Sequence, residues 1–144
     1  MSTPMTSAIA DRAPLDALRW SGYVELGGRV LLAALFLLAG LSKISGYGGT
    51  GAYMASMGVS PALLPIVIAT EVGGSLALIA GWHTRIVAFL LAGFSVLAAV
   101  IFHHHFADQT QLILFLSDVA TAGGLLTVVA NGAGPLSLDR RRGR

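Results

Sequence analysis

The chain contains no cysteine, which excludes disulfides, thiolate metal sites and thiol redox chemistry within it. It is poor in charge as well: Asp, Glu, Lys and Arg make up 11% of its 144 residues, against about 25% in soluble domains. No apolar run follows closely on a basic start, so a cleaved signal peptide is not expected. Period-two alternation is missing, which argues against a membrane barrel. There is no HExxH pattern, and Gly27-Gly28 and Gly73-Gly74 lack the strand–turn–helix setting of a phosphate-binding loop. What the chain has is apolar mass. Hydrophobic residues account for 55% before its 18 glycines are counted. With glycine the share is about two-thirds, where soluble proteins reach about 45–50%. A soluble domain this small cannot bury so much apolar surface, so an ordinary soluble enzyme and a disordered chain are both excluded. The sequence pI of about 9.5 does not point to nucleic acid. Four of the nine Lys and Arg residues sit in the last five positions, which makes a basic tail rather than a binding face.

The predicted fold is all-α: a four-helix transmembrane bundle with both termini cytoplasmic. Residues 1–25 form an N-terminal tail, residues 26–131 the spans (about 26–46, 62–81, 85–105 and 111–130), and residues 132–144 a basic cytoplasmic tail. Each apolar stretch is near the ~20 residues a spanning helix needs. The connection 45–60 is glycine-rich and carries Tyr47 and Tyr53, which suits a short helix at the membrane surface. Orientation follows from the basic residues. With four spans, Arg12, Arg19, Arg29, Arg85 and the four tail arginines share a side, and only Lys43 lies on the other. The positive-inside rule then places both termini in the cytoplasm.

Charged side chains within the spans are the candidates for chemistry, because each costs about 2.5–3.5 kcal/mol at a helix centre. Glu71 lies mid-way along the second span and Asp118 early in the fourth. Arg29, Ala33, Phe36, Gly40 and Lys43 recur at spacings of 4, 3, 4 and 3, one face of one helix. Ala69, Gly73, Ala77 and Gly81 in the second span, Ala88, Ala92, Ser95 and Ala99 in the third, and Ala120 with Gly124 in the fourth suggest close helix packing. Counting from the outer side, Lys43 is at a depth of roughly 5 Å, Asp118 about 10 Å and Glu71 about 14 Å. Lys43 is therefore expected to pair with Asp118, leaving Glu71 as a carboxyl poised for proton exchange. Gly74, Ser75 and Leu78 share a face with Glu71 at i+3, i+4 and i+7, which would leave room for a flat ligand. The run His103–His105 points in three directions and supports no metal site, so none is expected.

The chain resembles the DoxX family of small bacterial membrane proteins. The resemblance rests on Arg29, on Phe36-Leu37-Leu38-Ala39-Gly40-Leu41-Ser42-Lys43-Ile44 and on Gly58-Val59-Ser60-Pro61. It continues through Glu71-Val72-Gly73-Gly74, Leu78 to Gly81 with Arg85, a histidine near Phe106, Gly123-Gly124-Leu125-Leu126, and Pro135-Leu136-Ser137-Leu138-Asp139. One departure is Ser117-Asp118, where the family usually has Lys-Asn. The resemblance implies a multi-pass protein of the bacterial inner membrane, linked to quinone-dependent oxidoreduction. The expected catalytic residues are Glu71, Asp118 and Lys43, with a quinone as cofactor in contact with Glu71, Gly74, Ser75, His104 and Arg29. The expected partners are the lipid bilayer and a redox protein, with no nucleic acid; a homo-oligomer stays open. Two other readings are a non-catalytic scaffold that anchors soluble redox enzymes, and a transporter of small solutes or protons. The lack of an internal repeat argues against the transporter.

Overall fold

A computed structural model of the chain describes residues 13–143; the expectations for residues 1–12 lie outside them. Helix α1 runs Ala13–Ser45, α2 Tyr47–Ser56, α3 Leu64–Ala80 after a 3-10 turn at Pro61–Leu63, α4 Thr84–Phe102, α5 Gln109–Asn131 and α6 Leu138–Arg142. Four segments are long and apolar enough to cross a membrane: Trp20–Ser45, Pro61–Ala80, Thr84–Phe102 and Gln109–Asn131. At 33 residues, α1 is about 50 Å long and outreaches the ~30 Å hydrocarbon layer. It begins well before residue 26. Its exposed Trp20 and Tyr23 lie near one end of the span, where aromatic rings suit the interface.

The bundle is two tightly packed pairs, α1 with α3 and α4 with α5, joined through α3–α4 and closed by a lighter α1–α5 contact. Its interior combines small and polar residues with Phe36, Leu64, Leu78, Leu91 and Leu125. Ala33, Ala88, Ala92, Ala99 and Ala122 are buried together with Ser75, Ser95 and Thr121, while Leu31, Leu38, Leu97 and Leu116 are exposed. Lipid tails are as apolar as leucine, so burying leucine gains nothing there, and close backbone approach through small residues holds the helices together. The Arg29–Lys43 face of α1 turns inward as its spacing predicts, with Arg29, Ala33, Phe36 and Gly40 buried. The same holds for Ala88, Ala92, Ser95 and Ala99 of α4.

The stripe on the second span behaves differently. Ala69 and Gly73 are exposed and a Cβ at Gly73 would meet nothing, whereas Ala77 is half-buried and Gly81 is buried against Arg29 and Ser137. The glycines that carry close approach are Gly40 and Gly74. A Cβ on Gly40 would come within 2.7 Å of Val72 Cγ2 and 3.2 Å of Glu71 Cβ, and one on Gly74 within 2.9 Å of Leu91. Ala120 is exposed too, while Gly124 packs on Leu32.

At the end of the bundle that holds the termini, the chain folds back on itself. Gly81, at φ +68, closes α3 in a left-handed cap, with Trp82 N–H donating to Ala77 O at 2.9 Å and Gly81 N–H to Leu78 O at 3.2 Å, a Schellman arrangement. The segment after α5 docks on this turn: Asp139 N–H donates to Gly81 O at 2.9 Å. The Asp139 carboxylate accepts from the backbone N–H groups of His83 and Thr84, both at 2.8 Å. It thereby caps the first turn of α4 from 55 residues away.

Candidate functional site

The opposite end of the bundle gathers Lys43, Glu71, His103 and Asp118. Because α1 presses on α3 at Gly40, Lys43, one turn further on the same face, arrives beside Glu71. Its ammonium donates to Glu71 Oε1 at 2.8 Å. The Glu71 side chain is 5% exposed and that of Lys43 26%, so the lysine is the outward half of the pair. Glu71 Oε2 is buried with no hydrogen-bond partner among the described residues, a costly condition for a carboxylate oxygen.

This corrects the expected pairing of Lys43 with Asp118. Depth along the membrane favoured Asp118, but the close crossing at Gly40 makes α3 the nearer helix, and the lysine reaches inward to it. Asp118 is still close enough for Lys43 to act on it electrostatically. Its direct neighbour is His103, whose Nε2 lies 3.8 Å from Asp118 Oδ2, while Nδ1 is 3.0 Å from Gln111 Oε1. Asp118 Oδ2 makes no hydrogen bond among the described residues. Its main-chain carbonyl accepts from Ser95 Oγ at 3.1 Å, which fastens α5 to α4. Over this end lies α2, where Tyr53 donates to Phe102 O at 3.3 Å.

Several expected contacts are not brought to this cluster. His104 is exposed, with Nδ1 3.0 Å from Ile101 O and its ring 4.4 Å from that of His105; His103 is the histidine that faces the carboxylate. The space expected beside Gly74 is filled by Leu91. The Ser75 hydroxyl is fully buried and donates back to Val72 O at 2.8 Å. Arg29, 1% exposed, sits midway along α1, about 21 Å from Lys43 along the helix axis. There it donates from Nη1 to Leu78 O at 3.1 Å and from Nη2 to Leu136 O at 2.6 Å. It therefore clasps the end of α3 and the docked segment instead of a ligand beside Glu71. A signal for His103 was present in the sequence: it continues the inward Ala88–Ala92–Ser95–Ala99 face at i+4.

Among proteins of known sequence, the DoxX family profile matches residues 24–104. Inner membrane protein YqjF of Escherichia coli (strain K12) is 43% identical over 115 residues, covering 80% of this chain and 88% of the relative. Inner membrane protein YphA of the same organism is 35% identical over 121 residues, covering 78% and 86%. No solved structure matches. The profile takes in Lys43, Glu71 and His103 and stops short of Asp118, whereas the relatives align with most of the chain. With four membrane-crossing helices and relatives of this kind, the chain belongs to the DoxX family and is a multi-pass protein of the bacterial inner membrane.

Proposed function

We propose that this protein is a quinone-linked subunit or accessory factor of a membrane redox assembly, and that Lys43, Glu71 and Asp118 form its site with His103. The observation that carries the reading is the Lys43–Glu71 pair inside the bundle, with an unpartnered Glu71 oxygen behind it and a second unpartnered carboxylate oxygen at Asp118. Ionisable groups are kept in apolar spans where they are paired, wet or useful, and a purely structural pair would be replaced by apolar packing at little cost.

The residues fit a lipid-soluble quinone. Lys43 is a partly exposed ammonium able to donate to a carbonyl oxygen, and Asp118 and His103 are each 22% exposed beside it. A bound quinone supplies carbonyl oxygens that take up electrons and protons, the electrons coming from a partner redox protein. Glu71 holds the Lys43 ammonium in place through their 2.8 Å contact, so it is a positioning residue. His103, at the bundle end, passes protons between the membrane surface and Asp118, and a carboxyl in hydrogen-bond reach of a carbonyl oxygen is a suitable general acid.

The test is to purify the wild type, Glu71→Gln and Glu71→Asp in native-like lipid and to assay co-purified quinone and complementation of a deletion strain. Wild type should carry quinone, Glu71→Gln should insert and fold yet lose it, and Glu71→Asp should regain part of it. A wild type without quinone, together with full complementation by Glu71→Gln, would replace this reading with that of a scaffold for soluble redox enzymes.

A further inference from the structure

The end of the bundle that holds the chain termini contains two adjoining cavities that the redox reading does not use. One, of about 540 Å³, is lined by His83, Arg85, Asn131, Gly132, Asp139 and Arg140, among others. The other, of about 440 Å³, is a crevice between α1 and α5 walled mainly by Gly28, Leu31, Leu32, Gly124 and Val128, with Glu25 and Arg29 also on its lining. Both include Asn131 and Gly132, so they meet at the end of α5. Arg85 stands at that junction: a Cβ on Gly132, where φ is +86, would come within 3.3 Å of its Nε.

The charges of the first cavity are unbalanced. Arg85 and Arg140 are exposed and form no ion pair among the described residues. The nearby carboxylates have other partners, the amides of His83 and Thr84 for Asp139 and the charge of Arg29 for Glu25. A cationic cleft at the membrane surface that opens into an apolar crevice matches the two halves of an acidic phospholipid. We infer that this end of the bundle binds such a lipid, its phosphate held by Arg85 and Arg140 and one acyl chain laid in the α1–α5 crevice over Gly28. The crevice argues for a lipid over free phosphate, which would use only the basic cleft.

The lipid site can be probed in the delipidated full-length protein in mild detergent, titrated with phosphatidylglycerol or phosphatidylcholine and followed by native mass spectrometry. Phosphatidylglycerol should bind in preference. Arg85→Gln and Arg140→Gln should each weaken it about fivefold, as expected for one basic residue near an anionic head group. Gly28→Leu fills the crevice where a Cβ meets nothing within 4 Å, so it should displace the lipid while leaving the melting temperature unchanged or higher. Equal binding of the two lipids would overturn the inference. So would a loss of binding in the arginine variants with none in Gly28→Leu, or complete displacement by millimolar inorganic phosphate, since either outcome leaves only an anion site without an acyl chain.

Discussion

Lys43 and Glu71 depend on one another more than on anything else nearby. The carboxylate is nearly buried, and removing the ammonium would leave it alone in a medium that solvates charge poorly. Removing the carboxylate is milder, because a lysine near a helix end can turn toward the interface. The pair therefore should show strong non-additivity. Lys43→Met alone is expected to destabilise most, Glu71→Leu less, and the double variant least, with a coupling of about 1–3 kcal/mol. Thermal melts of the purified set in one lipid–detergent mixture measure this, and additive losses would contradict the pairing. The arrangement also explains why residue-by-residue depth was a poor guide to partners. Depth orders side chains along the membrane normal, whereas contact is decided by which helix backbone comes nearest, and here one glycine decides it.

That glycine acts at the level of the helix pair. Gly40→Leu should force α1 away from Glu71 and Val72 and part Lys43 from its carboxylate, at a cost of about 1–3 kcal/mol, the usual range for overpacking. Gly73→Leu, next to Val72 on the exposed side of α3, is the matched control. Its Cβ would meet nothing, so the variant should be neutral or stabilised by up to about 1 kcal/mol through helix propensity. If both variants melt alike, the close crossing is not what holds the pair. These two glycines also mark where the sequence was legible. The 4-3-4-3 series on α1 exposed its inward face because large, charged and small residues all obey one helical period. The Ala69–Gly73–Ala77–Gly81 series obeys a period as well, yet its first two members face outward, since small residues permit a close approach without specifying a neighbour. Four spans were legible from apolar length alone. The docking of the last segment was not, because its bonds run from main-chain amides and to main-chain carbonyls that no residue letter records.

For the molecule as a whole, two expectations concern its ends. The basic residues predict that both termini face the cytoplasm and the 45–60 connection faces outward. A C-terminal reporter active only in the periplasm would reverse the assignment. The docked segment adds a dependence on acidity. Burial works to raise the Asp139 carboxyl, but the amides of Thr84 and His83 outweigh it and hold the group below its ordinary value. A depressed carboxylate contributes stability above its unfolded value of about 3.9 and loses it as pH falls through the lowered one. Asp139→Ala should cost about 1 kcal/mol near neutral pH, as the loss of a helix cap does, and the gap to wild type should close in strongly acidic buffer. A gap that stays constant with pH would show that the carboxylate charge is not what matters. The same contact separates two events in biosynthesis. The first turn of the third span is synthesised 55 residues before Asp139, so its leading amides wait for their acceptor. They acquire their acceptor only when the segment after α5 is translated, and that segment thus completes a helix made one span earlier.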